Sequence, residues 1–148
     1  MPSTWTELTK DELRTVAMPD IMPSEFSMWK LDTLMMKKAL HEADTIYGRT
    51  ILPMPYPDHT LKEYTIHTVM TVSKELLEAH PELRTYEGVN VNEQRETGRF
   101  DYNSNGFHGT ILSLNGTILI NPSSSKNNNI YICSYKRDTR KRKEDFEK

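Results

Sequence analysis

Two Asn-Gly pairs, Asn105-Gly106 and Asn115-Gly116, constrain this chain more than any other feature. Strand-length runs flank them: "TGRFDYN" (97–103), "FHGTILSL" (107–114) and "GTILIN" (116–121). Asn-Gly between β-forming runs is the strongest short-range hairpin signal, because both residues tolerate the positive φ of a tight turn. Three consecutive strands joined by two such turns make an antiparallel meander. The stretch "DYNSNG" (101–106) also matches the first half of an EF-hand loop. Calcium would need a bidentate Glu at loop position 12 and a helix on either side. Counting from Asp101, that position is Leu112, and position 9 is Gly109. The calcium reading is rejected, and the turn reading stands.

Further strands are expected at "LRTYEGVNV" (83–91) and "NIYICSYKR" (129–137), with "PSSSKNNN" (122–129) as a polar loop. In the last strand, alternation puts Tyr131, Cys133 and Tyr135 on one face. The first half contributes "EFSMWKL" (25–31) as a strand, then Asp32 as a helix N-cap. In "TLMMKKALHEA", Leu34, Met35, Ala39 and Leu40 fall near helical spacing. "YGRTILPM" and "LKEYTIHTV" (61–69) read as two arms of a hairpin around the turn "PYPDHT". Ser73 is placed to cap a short helix, "KELLEAH", which Pro81 ends. "TKDELRTV" is helix-compatible. The fold class is therefore α+β: an antiparallel β-rich domain, a meander of hairpins, with one or two short packing helices. Residues 1–24 read as an N-terminal arm, 25–137 as the globular domain and 138–148 as a charged tail or linker.

A length of 148 residues fits one domain. The formal net charge of −2 does not provide the basic footprint of a generic nucleic-acid binder. "RKRK" (140–143), beside acidic residues, reads as a solvated tail. No apolar run approaches a membrane span, and the N-terminus lacks the pattern of a signal peptide. The single cysteine, Cys133, excludes an internal disulfide and is read as a small buried residue. The five histidines (41, 59, 67, 80 and 108) include no HExxH and no pair at i and i+4 on one helix. The serines have no nucleophile elbow, and the glycines do not cluster. No catalytic residue, metal site or cofactor is expected. An enzyme reading would need a pocket that gathers Asp101, His108 and Arg99.

Residues 75–138 carry several separated motifs. A helix runs from "ELL" into Pro81-Glu82-Leu83, and Thr85-Tyr86-Glu87-Gly88 follows. Next come Thr97, Arg99, Asp101, then Gly106-Phe107-His108, then Gly116 and Ile120-Asn121-Pro122. Tyr131, Tyr135, Lys136, Arg137 and Asp138 close the series. In this order the motifs resemble the N-terminal pro-domain of bacterial secreted zinc metalloproteases of the reprolysin-like metzincin type. With "WKLDTLMMKKAL" and "RTILPMPYPDHTLKEYTIHTVMTVS" upstream, the likeness covers roughly residues 25–138. That family usually has a carboxylate at Asn121, often a glycine at His59, and seldom a cysteine in its last strand.

The resemblance implies a non-catalytic domain, exported as part of a precursor, that assists folding of a zinc metalloprotease catalytic domain and keeps it latent. The partner would be that catalytic domain, in cis or in trans, with neither nucleic acid nor membrane involved. Arg137, Arg140, Lys141 and Arg142 would form a processing linker. In related pro-domains a cysteine thiolate blocks the zinc; here the candidate is Cys133, although it lies mid-strand rather than on a loop. The alternative is a free-standing interaction or inhibitor module of the same fold.

Overall fold

The structure is a computed structural model and describes residues 4–15, 25–43, 49–69, 74–79, 85–103, 105–124 and 127–137. The elements are β1 (Trp5–Glu7), α1 (Lys10–Thr15), β2 (Phe26–Leu31), α2 (Thr33–Ala43), β3 (Thr50–Pro55), β4 (Leu61–Val69), α3 (Lys74–Ala79) and β5 (Thr85–Asn90). Four more strands follow: β6 (Thr97–Asn103), β7 (Gly106–Ser113), β8 (Gly116–Ser124) and β9 (Asn127–Tyr135). Among the described residues, these strands form one sheet in the order β1-β2-β9-β8-β7-β6-β5-β4-β3, with every pairing antiparallel. The expected α+β, β-rich fold is the observed one. From β3 to β9 the chain is a continuous meander, and β2 then adds beside β9.

The sheet curls around one core. Inward residues alternate along each strand: Leu52 and Met54, Tyr64 and Ile66, Phe107 and Ile111, Ile118 and Ile120, Tyr131 and Cys133. Curling brings the two edges of the sheet towards each other. Ser27 Oγ donates to the Tyr56 carbonyl at 2.8 Å, and Cys133 Sγ donates to the Pro55 carbonyl at 3.1 Å. His59, in the β3–β4 turn, pairs with Glu7 of β1. Outside the sheet, Leu13 of α1 packs with Leu8, Met28 and Ile130 in a second, smaller cluster.

Both N-terminal helices start with side-chain caps. Thr9 and Glu12 form a reciprocal capping box: each backbone N–H donates to the other's side chain, at 3.1 and 3.2 Å. The Lys30 ammonium, 2.8 Å from Glu12, holds that carboxyl below its usual range. Asp32 caps α2 as expected, accepting from the Met35 N–H at 3.1 Å. The buried face of α2 is Met36, Leu40 and Ala43, whereas Leu34 is 78% exposed. Of the expected stripe, Leu40 is buried and Ala39 packs against the core; Met36 and Ala43 complete the face in place of Leu34. Ser73 and Pro81, named as the limits of the next helix, lie outside the described residues.

Three further expectations are corrected. The described part of the expected N-terminal arm, residues 4–15, belongs to the domain, since β1 pairs with β2 and Trp5 is 1% exposed. Its indole meets Phe107 and Tyr131 edge-on, with centroids 5.7 and 5.3 Å apart. The polar loop after Pro122 is mostly strand: β8 runs to Ser124, β9 starts at Asn127, and a bulge at Pro122/Ser124 absorbs the irregular sequence. Both Asn-Gly turns are displaced by one residue. Asn103 pairs with Gly106 and Ser113 with Gly116, so each glycine opens the following strand. Gly106 has φ 106° and Gly116 φ 134°, so the positive φ falls on the glycine that opens each strand.

Candidate functional site

The residues singled out by the resemblance divide into an interior set and a surface set. Gly106, Phe107, Pro122 and Tyr131 meet at one point inside. The Phe107 N–H donates to Tyr131 Oη at 2.8 Å. A Cβ on Gly106 would stand 2.8 Å from that oxygen and 3.2 Å from Pro122 Cγ, so only glycine fits. Gly88 has a similar role: with Gly98 and Gly109 it leaves an inward notch filled by the Phe100 ring. Tyr86 is buried, and Thr85 pairs with Asp101 across β5 and β6. Tyr135 supports the Arg137 guanidinium, 4.5 Å from its ring centroid. Pro81, Asp138, Arg140, Lys141 and Arg142 lie outside the described residues.

The surface set lies on the outer face of β4–β7. Strand register builds two parallel rows there. One row is His67, Glu87, Arg99 and Thr110; the other is Thr65, Val89, Thr97 and Leu112. Between them, the paired backbones of Gly88 and Gly98 floor an open groove of about 530 Å³. Arg99 Nη2 donates to Glu87 Oε1 at 3.0 Å, and His67 Nε2 lies 3.8 Å from Glu87 Oε2. Leu112, 58% exposed, provides an apolar wall. Asp101 and His108 form a neighbouring pair: His108 Nδ1 is 3.3 Å from Asp101 Oδ1 but out of line for a hydrogen bond. The groove takes in Arg99 and leaves Asp101 and His108 outside.

A buried polar network closes one end of the sheet. Tyr56 Oη donates to Glu96 Oε1 at 2.7 Å and lies 2.5 Å from Tyr64 Oη. Asn90 Nδ2 donates to the same carboxylate oxygen at 3.1 Å, and the Leu114 N–H donates to Glu96 Oε2 at 2.9 Å. One carboxylate thus ties together three inter-strand connections. Burial pushes Tyr64 up to about 12, and burial with the Glu96 contact drives Tyr56 above the ordinary tyrosine range.

Cys133, named as a candidate zinc ligand, is fully buried with its thiol directed inward, and burial pushes that thiol well above its ordinary range. A thiolate available to an external zinc would need the strand to open. Among the described residues, no three His, Cys, Asp or Glu side chains are grouped to hold a metal ion. The same residues contain no helix long and apolar enough to cross a membrane.

The outer face thus presents a shaped groove, an ion pair and an apolar wall. Sequence reasoning had named Arg99 but not its partners. Pairing Glu87 with Arg99 needs the β5–β6 register, which the connection "VNEQRE" does not reveal. The role of Glu96 was also missed, because a glutamate in a charged loop carries no signal of burial. No protein-family model, no curated protein and no solved structure matches the chain.

Proposed function

We infer that the chain is a non-catalytic pro-domain, secreted as part of a precursor, that templates and keeps latent a zinc metalloprotease catalytic domain. The observation that carries this reading is the spatial convergence of its separated motifs. Gly106-Phe107, Pro122 and Tyr131 come from three different motifs and form one contact group. Such a contact group is what the motifs of one fold would form, and in that sense it supports the reading. His59 adds support: it takes φ 69° in the turn where the family often has glycine, a conformation glycine adopts without strain. The outer face of β4–β7 is the proposed docking face.

The test is direct. The purified chain is titrated into the metalloprotease catalytic domain encoded with it, and cleavage of a fluorogenic peptide is followed. Saturable inhibition, with a higher refolding yield of the catalytic domain, is the expected result. Absence of both binding and inhibition overturns the reading. The exposed apolar wall at Leu112 also suits a second reading, a free-standing interaction module acting in trans. Binding without inhibition would favour it.

A further inference from the structure

The end of the last strand is fastened down. β9 ends at Tyr135, paired with Ile118 of β8. The Arg137 guanidinium folds back over the Tyr135 ring, and its Nη1 donates to the Asn115 carbonyl in the β7–β8 turn. Gly116 makes room for it: a Cβ there would stand 2.9 Å from Nη1. An aromatic face, a carbonyl and a glycine notch together hold one planar guanidinium. A ring face and a directed acceptor suit arginine better than lysine.

A trypsin-like protease must draw the basic side chain into its specificity pocket and hold the neighbouring backbone extended in its cleft. At Arg137 both requirements conflict with existing contacts, because the side chain is engaged and Tyr135 remains paired in the sheet. We propose that Arg137 is a protected border residue. In the folded chain the peptide bond after it resists trypsin-like hydrolysis, and cleavage is directed to Arg140, Lys141 and Arg142 further along the sequence. Hydrolysis there adds one water across the amide and releases a carboxylate and an amine. This narrows the processing linker expected from the sequence, which had included Arg137. The pro-domain reading supplies only the biological reason for a cut; the protection itself rests on the clamp.

Limited trypsin digestion of the full chain, with intact-mass detection of the N-terminal products, tests it. The wild type should yield products ending at Arg140, Lys141 or Arg142, with cleavage after Arg137 at least ~10-fold slower. Arg137→Lys keeps a basic residue but loses the planar fork, so cleavage after position 137 should rise towards the rate at position 140. Tyr135→Leu, checked for an intact fold by circular dichroism, should do the same with the arginine retained. Equal cleavage after Arg137 and Arg140 in the wild type overturns the proposal, as does a pattern that neither substitution changes. Neither result bears on inhibition of a metalloprotease.

Discussion

Phe100 and its three glycines show how closely single residues are matched inside this sheet. Gly98 faces the Phe100 ring, where an added Cβ would sit 2.6 Å from Cζ and 3.1 Å from Ile111 Cγ1. Neither the ring nor the isoleucine has open space behind it, since both are at most 2% exposed. Gly98→Ala should therefore destabilise the fold by about 1–3 kcal/mol through overpacking. The same substitution in a Phe100→Leu background should do far less harm, because the shorter side chain vacates the notch. Urea denaturation of the four proteins in this cycle measures the coupling; strict additivity would mean the glycine is not there for the ring. Glu96 makes a second case. It accepts three hydrogen bonds while 8% exposed, so Glu96→Gln turns its amide nitrogen towards a donor at one of them. A loss of about 1–3 kcal/mol is expected in the same assay, and an unchanged midpoint would mean that the network readily rearranges.

Among the elements, the strands were legible in the sequence because period-two alternation and the Asn-Gly turns lie within the strands themselves. β6 begins and ends where the alternation placed it. The turn offset was not legible, because either of two adjacent residues could carry the positive φ, and glycine took it at the start of the next strand. The spacing of α2 correctly gave Leu40 and Ala39, but that Met36 and Ala43 rather than Leu34 complete its buried face was set by what the curled sheet offers. β1 was hidden for a different reason: three residues cannot display a period, and the meaning of Trp5 lies in Phe107 and Tyr131, distant in sequence. The two accounts of the N-terminus differ in outcome. Trp5→Ala should cost about 3–5 kcal/mol if Trp5 completes the core, as a buried aromatic does. A solvated arm would change stability by less than about 0.5 kcal/mol. Thermal unfolding followed by circular dichroism separates them.

At the scale of the whole molecule, the sheet must manage two edges without closing fully. β1 exposes only a short edge, and β3 carries Pro53 and Pro55, which offer no N–H to an incoming strand. The seam between the edges is bridged by hydrogen bonds from Ser27 and Cys133, and the Tyr56–Tyr64–Glu96 network lies beyond its β3 side. This arrangement makes alkaline stability a property of the whole fold. Tyr64 is raised from an ordinary value of 10.0 to about 12, and Tyr56 is raised as well. A group whose folded pKa exceeds its unfolded one favours the folded state fully below the unfolded value. That contribution is lost as pH climbs through the folded value, because the unfolded chain then releases protons the folded one retains. The contribution of these tyrosines should therefore be level up to about pH 10 and fall between about pH 10 and 12, and the buried Cys133 thiol, raised from an ordinary value of 9.0, adds a decline that starts near pH 9. Tyrosinate absorbance should rise in two stages: exposed tyrosines first, the buried set only as the far-ultraviolet circular dichroism collapses. A single stage complete near pH 10, with the β signal intact, would mean that the Tyr56–Tyr64 pair is reached by solvent and that the sheet does not seal that end.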